Sequence, residues 1–107
     1  MDTPLNATSA VYEASRVVKT KPGKLYGMTG YNSKVSAQFI LIHDANALPA
    51  AGAVPAVVIS VAASSPFSLD YNTLGREFAN GIVVSNSSTG PTQTIGSADC
   101  WFDVQYR

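Results

Sequence analysis

The side chains best equipped for chemistry in this 107-residue sequence are one histidine, one cysteine and a few carboxylates and serines. His43 and Asp44, with Ser64-Ser65 or Ser87-Ser88 as nucleophile, contain the makings of a hydrolytic triad. The arrangement fails on two counts. No Gly-x-Ser-x-Gly elbow occurs, and adjacent strand residues point to opposite faces, so His43 and Asp44 cannot pair along one face. Asp99 and Asp103 share a strand face, but four positions separate them by ~13 Å, wide for the paired carboxylates of a glycosidase. Asp70 and Arg76 bracket a polar loop, where a cap or an ion pair is the ordinary outcome. A lone histidine and a lone cysteine cannot build an all-protein zinc or iron–sulfur site, and Cys100 has no partner for an intrachain disulfide. No glycine-rich loop ending in lysine is present to hold phosphate. The expectation is a chain that is not an enzyme and takes no cofactor or metal.

Composition narrows the remaining classes. Charged residues are 13% of the chain and apolar residues 46%, where an average soluble domain is about 25% charged. Seven basic and seven acidic side chains cancel, which argues against a nucleic-acid or anionic-membrane partner held by charge. The longest apolar stretches, residues 39–42 and 53–61, fall far short of the ~20 residues of a membrane span. Met1-Asp2-Thr3-Pro4 has neither a basic nor an apolar leader, so synthesis in the cytoplasm is expected.

Turn residues recur every 8–12 positions between segments rich in Val, Ile, Phe and Tyr, the spacing of an antiparallel sandwich or barrel. Strands are predicted at residues 12–20, 24–32, 36–44, 54–62, 67–71, 81–85 and 99–106, with a brief pairing at 94–95. Lys21-Pro22-Gly23-Lys24 is a turn, and Gly27 and Gly30 mark bulges or close backbone approach. Residues 45–52 have room for one helical turn at most. The predicted architecture is an all-β, antiparallel β-sandwich, jelly-roll-like, with seven to eight strands. Residues 1–10 form an extended N-terminal arm, and residues 11–107 a single sandwich domain.

The last strand alternates. Cys100, Phe102, Val104 and Tyr106 fall on a core face; Asp99, Trp101, Asp103 and Gln105 fall on the other. Trp101 is therefore either covered by the arm or a loop, or it is a partner contact of the kind tryptophan dominates. Two strands are apolar on both faces: Phe39 and Leu41 oppose Ile40 and Ile42, and Val58 opposes Val57 and Ile59. Each such side chain is worth ~1.5–3 kcal/mol when buried, so either another subunit or the arm and the 45–52 turn must cover them. The expectation taken here is a homo-oligomer whose interface includes Leu5, Ile40, Ile42, Val57, Ile59 and Trp101.

Several segments are distinctive together: Gly23-Lys24-Leu25-Tyr26-Gly27, Gly30-Tyr31-Asn32-Ser33, Gln38-Phe39-Ile40 with His43-Asp44-Ala45, and Leu48-Pro49-Ala50 with Gly52-Ala53-Val54-Pro55. Gly75-Arg76, Phe78-Ala79-Asn80-Gly81-Ile82-Val83-Val84, Asn86-Ser87-Ser88-Thr89 and Asp99-Cys100-Trp101-Phe102-Asp103 follow. From about Val17 onward the set resembles small virion structural proteins of tailed bacteriophages, of the capsid decoration or cement type. The resemblance implies a jelly-roll-like sandwich, often trimeric, on the exterior of a capsid and bound to its major capsid protein. It brings no catalytic residues. In that setting the arm would add a strand to a neighbour's sheet edge, with Leu5 as its anchor. The alternative is a receptor- or glycan-binding domain of a tail fibre or baseplate, with Trp101, Tyr71 or Tyr31 stacking on a sugar ring.

Overall fold

In a computed structural model, residues 4–107 are described. They form nine strands: β1 Leu5–Thr8, β2 Ser15–Lys19, β3 Gly23–Asn32, β4 Gln38–His43, β5 Val57–Val61, β6 Ser65–Asp70, β7 Arg76–Phe78, β8 Ile82–Ser87 and β9 Cys100–Tyr106. One sheet runs β1-β9-β3-β6, with β7 paired to the start of β3 beyond the end of β6; the other runs β2-β8-β4-β5. Every pairing is antiparallel. With the short β7 set aside, the chain passes between two four-stranded sheets in jelly-roll order, as its alternating strands and tight turns predict. No α-helix occurs among the described residues, and residues 45–52 make turns and bends rather than a helical turn.

The core lies between the sheets. Ala7, Leu25, Met28, Phe67, Phe78, Phe102 and Val104 enter it from the first sheet, and Ile40, Ile42, Val61, Ile82 and Val84 from the second. Phe67 and Phe102 meet at its centre, ring centroids 6.2 Å apart and tilted by 60°. The residue between them is Gly30, in register with both, on the strand they flank.

Two expectations require correction. The proposed interface residues Ile40 and Ile42 are completely buried; Val57 and Ile59, beside them on the same inner face but at the sheet's edge, are only partly buried against the core. The reason lies on the outer face. There Leu41, Val83 and His43 are buried as well, because two loops of the same chain close over them. Gly52 N–H donates to Gln93 O (2.7 Å) and Gln93 N–H to Ala53 O (2.8 Å), and the Gln93 amide donates to Pro49 O (2.5 Å). Gly90 lies on the Phe39 ring so closely that a Cβ there would stand 3.0 Å from it. This cover stands where a second subunit was expected.

The arm is the other correction. Residues 1–3 of the expected 1–10 arm lie outside the described residues; Leu5–Thr8 pair with β9 of their own chain. Ala7 is buried, and Leu5, on the same face two residues nearer the strand's start, is half exposed. β9 would otherwise leave a row of backbone groups open, and β1 satisfies them.

Candidate interaction surface

Beyond β1 the chain does something unusual. Ser9 N–H donates to Phe102 O (2.8 Å), Glu13 N–H donates to Cys100 O (2.7 Å), and Cys100 N–H returns a bond to Glu13 O (3.2 Å). Ala10, Val11 and Tyr12 therefore face the single residue Trp101, three against one, and must arch away from the sheet. A relay of side chains holds the arch. Phe102 N–H donates to Ser9 Oγ (3.0 Å), Ser9 Oγ–H donates to Glu13 Oε1 (2.5 Å), and Arg16 Nη1 donates to the same oxygen (2.9 Å).

Under the arch Trp101 stands directly opposite Tyr31 of β3, in the register that brings Cβ atoms to ~4.5–5.5 Å. Ala10, Val11, Tyr12, Tyr31 and Trp101 line an open groove of about 440 Å³. Val11 is 71% exposed, Tyr12 49% and Tyr31 37%, and unlike the exposed apolar residues elsewhere on the chain they line one groove together with Trp101. One step along the same face the surface turns polar. Thr8, Asp103, Thr29 and Ser68 lie side by side across four strands, and Thr8 Oγ1 donates to Asp103 Oδ1 (3.0 Å).

The topology puts the groove at the end of the sandwich where four loops meet. Asn32, fully buried, fastens that end: its amide donates to Ser36 O (3.2 Å) and Ala62 O (3.1 Å), and its oxygen accepts from Lys34 N–H (3.1 Å). Ser33 Oγ donates to Asp99 O (2.6 Å). The groove's walls are thus set by backbone and buried polar groups.

Of the proposed interface residues Trp101 reaches this surface, and so does Tyr31 of the alternative sugar-stacking set. Leu5 is exposed at the far end of β1, opposite Tyr106, and Tyr71 packs against the core. Sequence reasoning omitted Val11, which falls between the expected arm and the first strand, and Tyr12, the first residue of that strand. The available signal was that 10–12 carries two large apolar residues between Ser9 and Glu13, the residues that close the arch.

The candidate chemical groups are structural. His43, Ser85 and Gln93 form a buried trio: Ser85 Oγ donates to Gln93 Oε1 (2.7 Å), and His43 Nε2 lies 3.0 Å from the same oxygen. The Gln93 amide nitrogen faces carbonyls, so its oxygen is the atom turned to His43, and Nε2 must carry the proton. A protonated Nε2 cannot act as base toward Ser85. Burial holds the imidazole below its ordinary value, opposed by the Gln93 bond. Asp44, held below the usual carboxylate range chiefly by Asn80 N–H, accepts from the Ala79 and Asn80 backbone instead of from His43. Burial, with the nearby Asp99 charge, pushes the Cys100 thiol up to about 11. Asp70 caps its own turn by accepting from Asn72 N–H (2.6 Å), while Arg76 lies over the Phe78 ring at 5.6 Å.

No protein-family model matches the chain, and no curated protein matches it. Among solved structures it is similar to the coat protein of Tobacco streak virus, with a TM-score of 0.44 and 12% identity, over 97% of this chain and 87% of that one.

Proposed function

We propose that this chain is a virion structural protein of the capsid decoration or cement type, bound to the exterior of a bacteriophage shell through the aromatic groove. The observation that carries this reading is the groove itself: Tyr12, Tyr31 and Trp101 gathered, with Ala10 and Val11, at one end of a jelly roll. Tyrosine and tryptophan dominate interface energies when a partner seals water from them. A balanced, sparsely charged surface lets many copies crowd a lattice without mutual repulsion. The partner is the major capsid protein. Several copies joined in one oligomer let weak footprints act together and slow release; the trimer that the resemblance implies is not required by the sheet faces.

One observation favours a second reading. The row Thr8, Asp103, Thr29 and Ser68 beside Trp101 supplies hydroxyl and carboxylate partners next to an aromatic plane, the combination a glycan-binding domain uses for a sugar's polar edge and apolar face.

Both readings are tested with one substitution. Purified phage shells stripped of accessory protein are incubated with the full chain and with Trp101→Ala. A buried aromatic anchor is worth ~2–4 kcal/mol, so the substitution weakens shell binding by about 30-fold to several hundred-fold. Equal binding by the two proteins refutes the groove as the footprint. A chain that ignores shells, is retained on a glycan array and loses retention with Trp101→Ala establishes the second reading.

A further inference from the structure

The sandwich has four outer rims, and three carry devices that discourage strand addition. β1 is four residues long and preceded by Pro4. β2 carries Arg16 and Lys19 and a register break between Val17 and Lys19. The rim formed by β6 and β7 contains Pro66, Asp70, Arg76 and Glu77. β5 has none of these. Val57-Val58-Ile59-Ser60-Val61 holds no charge and no proline, four of its five residues are β-branched, and its register with β4 is unbroken. It ends its sheet, so alternate backbone N–H and C=O groups point outward along it. The core is also incompletely sealed here: Val57 and Ile59, with Leu69 of β6, are only partly buried against it.

We infer that β5 is a docking edge for a second copy of this chain, the two β5 strands pairing antiparallel about a two-fold axis with Ile59 opposite Ile59. The strand's own pattern selects that occupant. Around Ile59 the register sets Val57 against Val61 and Val58 against Ser60, so inner residues meet inner residues and outer residues meet outer ones. A one-residue slip would bring core-facing side chains to the solvent face. The pairing continues the β2-β8-β4-β5 sheet without a break, and half-covered Val57 and Ile59 of each copy shelter the other's. A two-fold junction is self-complementary and closes at two copies. It uses the rim of the second sheet and leaves the groove on the first sheet open, so it stands or falls independently of the shell-binding reading.

The test is light scattering after size exclusion on the full chain, from about 10 μM to about 1 mM, the range of weak association. The expected mass rises from 11.2 kDa toward twice that value. Val58→Lys with Ser60→Lys places like charges directly opposite across the junction, while in the single chain both positions are exposed on the outer face. That variant stays monomeric with an unchanged circular-dichroism spectrum, its association weakened at least about tenfold. Val58→Glu with Ser60→Glu is likewise monomeric alone, and an equal mixture of the two variants forms the dimer again. A single-chain mass throughout, a three-chain mass, or a lysine variant that dimerises like the parent overturns the inference. So does a mixture that stays monomeric, which also covers the case of a charge variant that fails to fold.

Discussion

Replacing Gly30 by alanine is the most revealing perturbation, because it strikes the core and the groove through one atom. A Cβ at this position would stand 2.2 Å from Phe67 Cζ and 2.3 Å from the carbonyl oxygen of Trp101. The phenyl ring can swing aside, at the loss of its tilted contact with Phe102, worth ~0.5–1.5 kcal/mol. The carbonyl belongs to the ladder between β3 and β9 and can move only with its strand, an overpacking cost of ~1–3 kcal/mol. Alanine recovers ~0.5–1 kcal/mol because it restricts the unfolded chain more than glycine does. The net destabilisation is about 1–3 kcal/mol, which at ~4–8 °C per kcal/mol lowers Tm by roughly 5–20 °C. Urea unfolding gives the free energy. The protein's one tryptophan supplies a second signal: its fluorescence shifts in the folded variant, since residue 101 is displaced. A second change, Phe67→Leu, removes the ring contact but not the carbonyl contact, so in the Gly30→Ala background it restores only part of the loss. An unchanged unfolding midpoint for Gly30→Ala would refute the close-approach argument.

Ser9→Ala removes two of the three bonds of the arch relay and leaves the buried Phe102 N–H without its partner; a loss of ~1–3 kcal/mol in urea unfolding is expected. The same variant weakens whatever the groove binds, whereas Thr8→Ala, outside the relay, does so less. For His43, whose folded-state value lies below 6.5, the unfolded chain binds the proton more readily. Stability is therefore full above pH 6.5 and declines as the pH falls from there through the folded-state value. Unfolding free energies at pH 7.5 and 5.5 measure the decline, and His43→Gln flattens it.

Much of the architecture is legible in the sequence, and the exceptions share a cause. β9 can be read from its alternation alone, and the glycines of β3 announce a close approach that the Gly30 geometry bears out. β1 and β7 are too short to carry a periodic signal, and Leu5–Thr8 reads as a free arm because nothing local says that β9 lacks a partner. Ile40 and Ile42 are assigned to a subunit interface in the sequence reading because apolar residues on both strand faces are weighed against the length of the chain. What the weighing lacked was Gln93. A polar residue in a loop gives no hydropathic sign that its amide will fasten residues 49–53 over Leu41 and His43. The covering role of the 45–52 turn was an available alternative, and it is the one the fold adopts, with the loop around Gln93 as the other half. Trp101 is identifiable as an aromatic between two carboxylates; its neighbours Val11 and Tyr12 leave only the weaker sign of two apolar residues between Ser9 and Glu13, since they join it through a bulge that spacing does not encode.

The arch divides labour between main chain and side chains. Its two feet are backbone bonds to β9, and its relay uses Ser9, Glu13 and Arg16. The three residues at its crown take no part in either. Ala10, Val11 and Tyr12 are consequently free to drift under selection without endangering the scaffold. Recognition at this surface could be retuned at almost no cost in foldability, and a protein engineer could diversify the same three positions first.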